Sequence, residues 1–159
     1  MSFVLISMVA AAAWSDLRTR RIPNWIPVSG AVLGFVLQAW NGGLYGALNS
    51  LAGAAVGLGI FMVLYIAGGM GAGDVKLFSA VGALVGPQAL VIVFIFTGLA
   101  GGAAALALAV WRGRLRETLE KTGALALGVK TAASEDSLRL PYGAVIAAGT
   151  LISLVLVQI

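Results

Sequence analysis

The chain has 159 residues, of which 60% are hydrophobic and 10% charged, with 10 Lys or Arg against 6 Asp or Glu. Because soluble domains carry about 25% charged residues, this composition is typical of a polytopic membrane protein. Cys and His are absent, which excludes disulfides, thiolate nucleophiles, Ser-His catalysis and the usual zinc and haem ligands. We therefore expect no metal and no cofactor. We also expect no nucleic-acid partner.

Charge-free apolar runs fill most of the chain. A hydrocarbon core of about 30 Å needs about 20 helical residues. The run from Ile22 to Gly73 is too long for one crossing and is interrupted by the turn signal Asn41-Gly42-Gly43. A second long run is interrupted at Gly86-Pro87. We predict an all-α membrane bundle, one transmembrane domain over residues 1–159, with six segments near Ser2 to Leu17, Asn24 to Trp40, Leu44 to Ala67, Val75 to Val85, Gln88 to Trp111 and Pro141 to Val157.

The basic residues predict the orientation of these segments. Cytoplasmic connections of membrane proteins carry an excess of Lys and Arg. If both termini are outside, the turns near Asn41 and Pro87 are outside and carry no basic residue. All ten then lie inside: Arg18, Arg20, Arg21, Lys76, Arg112, Arg114, Arg116, Lys121, Lys130 and Arg139. We expect a multi-pass protein of the cytoplasmic membrane, with residues at about 112–139 forming a cytoplasmic or interfacial loop.

Two of the six acids stand apart from that loop. The other four, which lie within it, are Glu117, Glu120, Glu135 and Asp136. Only residues 1–15 precede Asp16, too few for a full crossing, so its carboxylate is expected at the edge of the hydrocarbon. Asp74 follows a stretch with four glycines between Gly68 and Gly73 and begins a short segment. Each acid alone has an ordinary reading as a helix cap or ion-pair partner.

Together, the two acids indicate chemistry at the inner membrane face. Ionisable groups at membrane depth are functional candidates by default. Two neighbouring carboxylates can share one proton, because like charges a few ångströms apart cannot both ionise. One then activates a water for attack on a peptide carbonyl, and the other protonates the carbonyl oxygen. An alternative of another class is a small transporter in which Asp16 and Asp74 bind a cation or relay protons.

Three motifs in order carry a resemblance to a known family. Residues Gly71-Ala72-Gly73-Asp74-Val75-Lys76 contain the pattern GxGDxK. Asp16-Leu17-Arg18 is followed by Arg21-Ile22-Pro23-Asn24, and Leu140-Pro141-Tyr142-Gly143-Ala144 precedes the last segment. With these motifs the sequence resembles the type IV prepilin peptidases, which are membrane aspartic proteases of the GxGD type.

The resemblance implies a site and a substrate. Asp16 and Asp74 would be the catalytic pair, shaped by Gly71 and Gly73, and the substrate would be a pilin-like precursor whose short leader is removed at the cytoplasmic face. The residues expected to contact substrate or lipid are Arg18, Lys76, Pro23, Asn24, Pro141 and Tyr142. The bilayer is the other expected partner, and the oligomeric state is left open.

The sequence also departs from the larger members of that family. Those members carry a Cys-rich cytoplasmic domain and also methylate the new N-terminal amine, whereas this chain has no Cys and only a short connection after its first segment. The chain therefore resembles the short form associated with Flp-type (tight-adherence) pili, with peptidase activity alone. Archaeal preflagellin peptidases are a close alternative.

Overall fold

The regular structure of the chain is entirely helical in the part described. A computed structural model describes residues 1–111 and 142–157, and no strand occurs within these ranges. The helices are α1 (Ser2–Thr19), α2 (Trp25–Ile66), α3 (Ala72–Trp111) and α4 (Tyr142–Val157). The all-α prediction is confirmed, whereas the loop expected at about 112–139 lies outside the described residues.

Both long helices are interrupted where glycine was expected to turn the chain. Gly43 has φ 56° and ψ −139°, and Gly86 has φ 80° and ψ 169°, conformations that favour a residue without a Cβ. Across the first break, the Asn49 side chain donates through Nδ2 to Gln38 Oε1 at 2.8 Å. The chain therefore reverses at Gly43, and the two parts of α2 lie side by side.

The element bounds differ from the predicted ones at the start of α3. Sequence predicted a segment beginning at Val75 after a non-helical glycine stretch, but α3 begins at Ala72. Gly73 is therefore already helical, and only Gly68 in this stretch has a positive φ, 78°. As a consequence, Asp74 lies in the first turn of α3.

The first part of α3, residues 72–85, occupies the centre of the bundle. Leu77, Phe78 and Val81 are completely buried. The Phe78 ring stacks on Phe61 of α2 with 3.9 Å between centroids and meets Phe94, beyond the Gly86 break, edge-on at 6.2 Å. The first part of α3 thus packs against α2 and against the second part of α3.

Glycines let the helix backbones approach closely around this centre. A Cβ on Gly53 of α2 would overlap the carbonyl oxygen of Gly82, and a Cβ on Gly82 would overlap that of Gly53. A Cβ on Gly34 of α2 would lie 2.9 Å from the carbonyl oxygen of Ala83. Such contacts between small residues are how helices associate in membranes.

The outer surface of α2 and α3 is apolar. Each is long and apolar enough to cross a membrane, over Trp25–Ile66 and Ala72–Ala107. Only 22% and 17% of their most apolar stretches are buried within the described part of the chain, so they are not the interior helices of a water-soluble globule. Large exposed side chains on these two helices include Trp40, Leu44, Val63, Ile66, Leu99 and Trp111.

Candidate active site

Asp16 and Asp74 face a common recess between the end of α1, the connection that follows it and the start of α3. The recess has a volume of about 320 Å³ and is open to solvent on one side. The two carboxylates are close enough for the charge of Asp16 to act on Asp74. The recess is lined by Asp16, Arg20, Arg21, Ile22, Asn24, Gly71, Ala72, Gly73, Asp74 and Lys76.

Asp16 is held in the last turn of α1. Its side chain is buried, with 7% of the residue exposed. The helix ends at Arg20, which has a left-handed φ of 51° and donates its N–H to the Asp16 carbonyl at 2.8 Å. The hydroxyls of Ser15 and Thr19 then donate to the Arg21 carbonyl at 2.9 and 3.1 Å. These bonds turn the chain back, so that Arg20, Arg21, Ile22 and Asn24 border the recess.

Asp74 is held by the start of its own helix. The residue is 8% exposed, and its Oδ2 accepts the Gly71 N–H at 3.0 Å. An acid at the third helical position that reaches back to the residue before the helix is half of a capping box. Gly73 leaves room for the neighbouring connection, since a Cβ there would lie 3.3 Å from Ile22 Cβ. The two glycines assigned to shaping the site, Gly71 and Gly73, therefore both lie against it.

The start of α4 contributes a contact that sequence reasoning missed. The buried Gly143 N–H donates to Asp16 Oδ2 at 2.9 Å, although the two residues are 127 positions apart. Gly143 belongs to the Pro-aromatic-Gly motif, where a glycine in a first helical turn was the available signal. Tyr142, expected to contact substrate or lipid, is half-buried and within electrostatic reach of Asp74, while Pro141 lies outside the described residues.

The cationic side chains that line the recess come from the connection after α1 and from the first turns of α3. Lys76 Nζ donates to Asn24 Oδ1 at 2.9 Å, which links the first turn of α3 to the residue before α2. Arg20 and Arg21 add two further positive charges, although sequence analysis had not named either among the residues expected to contact substrate or lipid. The recess therefore combines three cationic side chains with two carboxylates.

Two other predicted contact residues lie away from this lining. Arg18 places its guanidinium over the Trp14 ring, 5.2 Å from the centroid, and does not border the recess. Pro23 is exposed, and its carbonyl accepts the Ile26 N–H at 3.1 Å at the start of α2. Both residues occupy the same end of the molecule as Asp16.

The described residues include no group of three or more His, Cys, Asp or Glu side chains that would hold a metal ion. The recess offers instead two carboxylates from separate helices, open space beside them and cationic side chains at the rim. Such an arrangement has the components for activating a water and protonating a carbonyl oxygen.

Fold and site together define a class of protein. Over residues 1–111 and 142–157 the regular structure is helical, two helices are of membrane-spanning length, and two buried aspartates border one recess. The sequence profile of the type IV leader peptidase family matches residues 3–106, which include both aspartates. The chain therefore belongs to the type IV leader peptidase family, a family of peptidases.

Curated relatives of the chain are named prepilin leader peptidase/N-methyltransferase. The chain is 35% identical over 133 residues to a prepilin leader peptidase/N-methyltransferase of Bacillus subtilis, covering 79% of this chain and 51% of that protein. It is 32% identical over 126 residues to the protein of the same name from Burkholderia pseudomallei, covering 72% of this chain and 39% of the relative. The chain thus spans about half the length, or less, of the relatives it matches. No solved structure was found that matches it.

Proposed function

We propose that this chain is a membrane aspartic endopeptidase that removes the short leader from pilin-like precursors, with Asp16 and Asp74 as its catalytic pair. One observation carries the proposal: two buried carboxylates, from separate helices, meet at one solvent-open recess. Burial of a charged group costs free energy, so two buried acids at this position are candidates for a functional role. Membership of a peptidase family supports hydrolysis as that role.

The reaction needs one ionised and one protonated carboxylate. The ionised group accepts a proton from a water as the water oxygen attacks the scissile carbonyl carbon. The protonated group donates its proton to the carbonyl oxygen, which gives a neutral tetrahedral diol. On collapse the C–N bond breaks, the leaving amine takes the proton from the protonated carboxylate, and one diol hydroxyl gives its proton to the other carboxylate as the carbonyl re-forms, so the pair again holds one proton.

The membrane supports this chemistry by presenting the substrate. We propose that six helical segments span the cytoplasmic membrane, with both termini outside and the recess on the cytoplasmic side. Arg18 over Trp14, together with Arg20, Arg21 and Lys76, places basic and aromatic groups around one end of the bundle, as at cytoplasmic membrane interfaces. The hydrophobic helix of a precursor would stay in lipid while its leader enters the recess.

The proposed product has an unmodified N-terminal amine and comes from an Flp-type precursor. The profile that matches the chain is that of the leader peptidases, and residues 20–24 alone connect α1 to α2. Mass spectrometry of the processed pilin tests this proposal. The expected new N-terminus lacks a methyl group, and a methylated product made in a host without another methylating enzyme would contradict it.

Co-expression with an Flp-type precursor tests the peptidase itself. We expect the wild-type chain to convert the precursor to a shorter form on a gel, and Asp16→Asn and Asp74→Asn each to abolish conversion, because an amide neither accepts nor shares the proton. Membrane levels of the variants should match the wild type.

The matched control is Asn41→Ala, an exposed polar position at the break of α2, far from the recess. This variant should process the precursor at the wild-type rate. Full processing by either aspartate variant would refute the two-carboxylate mechanism. A wild-type chain that leaves precursors of this type uncut, while it moves cations or protons in vesicles, would favour transport.

A further inference from the structure

The start of α4 meets the carboxylate of Asp16 directly. The Gly143 N–H donates to Asp16 Oδ2 at 2.9 Å, and the residue is buried. Gly143 is the second residue of α4, where backbone N–H groups have no partner within the helix and carry a partial positive charge. The contact therefore satisfies an otherwise unpaired donor and a buried acceptor at once.

A larger residue fits at this point only if Asp16 or Ile22 shifts. A Cβ on Gly143 would lie 2.9 Å from Asp16 Oδ2, 3.0 Å from Asp16 Cβ and 3.0 Å from Ile22 Cδ1. Two of these atoms belong to the aspartate itself, so any side chain at position 143 displaces the carboxylate. Backbone conformation does not explain the glycine, because residue 143 is helical and its φ is not positive.

Asp74 is held in the same way, by a backbone N–H at the start of its own helix, α3. Its Oδ2 accepts the Gly71 N–H at 3.0 Å at the start of α3. Each carboxylate thus accepts a backbone N–H from the beginning of a helix through one oxygen. For Asp74 that helix is its own, whereas for Asp16, at the end of α1, the donor comes from α4.

We propose that Gly143 is a positioning residue for Asp16, and that the start of α4 sets the orientation and proton sharing of the aspartate pair. The proposal rests on the proposed peptidase function for its effect on rate. The contact itself is independent of that function, because a double-mutant cycle measures it by stability alone.

The first test is such a cycle, with thermal unfolding of the purified full chain in detergent as the readout. Gly143→Ala should lower the melting temperature of the wild type, and should lower it less in an Asp16→Ala background, where the clashing carboxylate is gone. The control is Gly101→Ala, whose Cβ would meet Val145 of α4 at 3.2 Å and touches neither aspartate. Its effect should be equal in the two backgrounds, because residues without shared partners behave additively.

The second test is the activity of the same variants per amount of folded enzyme. Gly143→Ala should lower kcat/KM on the order of 10²-fold, since a displacement of about 1 Å at a reacting group has that effect. Its pH–rate profile should change as well, because the water and the carbonyl oxygen then exchange protons with a displaced carboxylate. The other titratable groups around the aspartate pair are Tyr142, Arg20, Arg21 and Lys76, and all of them are unchanged in both variants. Gly101→Ala should keep both the rate and the profile of the wild type.

Ile22→Val provides a second background, because it removes the Cδ1 atom that also opposes a side chain at position 143. If Gly143→Ala alone is not recovered folded, the comparison is made between Ile22→Val and Ile22→Val with Gly143→Ala. Additive melting temperatures with Asp16→Ala, or an unchanged pH profile with a loss of rate no greater than that of Gly101→Ala, would overturn the proposal. A coupled stability effect in a chain that cleaves no precursor would retain the contact and refute only the peptidase function.

Discussion

At the scale of single residues, the site depends on backbone N–H groups as much as on the acids. Asp16 and Asp74 are both more than nine-tenths buried, and each accepts one N–H from a glycine at the start of a helix. Glycine suits these positions because the backbone must come within hydrogen-bond distance of a neighbouring carboxylate. The acids thus keep polar partners on one side while the other side faces the recess.

Removal of divalent metals should leave peptidase activity unchanged. The proposed mechanism uses only water and two carboxylates, and two acids supply fewer protein ligands than a catalytic zinc site uses. Processing of the precursor in detergent should therefore proceed at the same rate in EDTA as in buffer. Activity that is lost in EDTA and restored by one divalent ion would contradict this mechanism.

At the scale of helices, the break at Gly86 leaves carbonyl groups at the end of the first part of α3, and side chains of α2 bind them. Pro87 has no N–H, so the Ala83 carbonyl, four residues earlier, has no helical donor. Ser50 Oγ donates to that carbonyl at 2.8 Å, and Gln38 Nε2 donates to the carbonyls of Ala83 and Leu84, both at 3.1 Å. Side chains of α2 thus fix the end of the helical part that carries Asp74 at its start.

Gln38→Ala should destabilise the protein. The substitution leaves the buried Leu84 carbonyl without this donor, which costs about 1–3 kcal/mol. Asn41→Ala is the matched control, because Asn41 also donates to a carbonyl, that of Leu37, but at the surface. Its effect should stay within about 0.5 kcal/mol, as for most surface substitutions. Equal losses in thermal unfolding would argue against the role of burial.

Two glycines of α3, Gly82 and Gly98, should differ in the effect of substitution by alanine on stability. Gly82→Ala places a Cβ on the Gly53 carbonyl and should cost at least about 1–3 kcal/mol, the usual effect of overpacking. Gly98→Ala meets nothing within 4 Å. It should leave stability unchanged or raise it by up to about 1 kcal/mol, since alanine favours helix. Unfolding of both variants in detergent distinguishes a packing glycine from a free one.

At the scale of the whole molecule, the distribution of charge predicts how the chain sits in the membrane. The recess, with Arg20, Arg21 and Lys76 at its rim, lies at the end of the bundle opposite the Gly43 turn along the first part of α2. With the basic end in the cytoplasm, the turn at Gly43 is outside.

Because the chain has no Cys, single cysteines test this orientation directly. Gly42→Cys and Gly69→Cys both place a thiol at an exposed position, with no atom nearer than 3.4 Å to the new Cβ. In intact cells a membrane-impermeant maleimide should label the first and not the second, and permeabilised cells should show both labelled. The reverse pattern would invert the proposed topology, and the Cys-free parent should remain unlabelled throughout.

The amino-acid sequence by itself determined the helical class, the breaks at Gly43 and Gly86, and the choice of Asp16 and Asp74 as the candidate acids. These features depend on local properties: apolar runs form helices where their own backbone is satisfied, and glycine and proline interrupt them wherever they fall. Tertiary structure alone decided that Gly143 donates to Asp16 and that Gln38 caps the break in α3. Each of these contacts joins side chain or backbone groups whose meeting depends on how helices cross and on their rotation about their own axes, which composition and spacing along the chain do not specify.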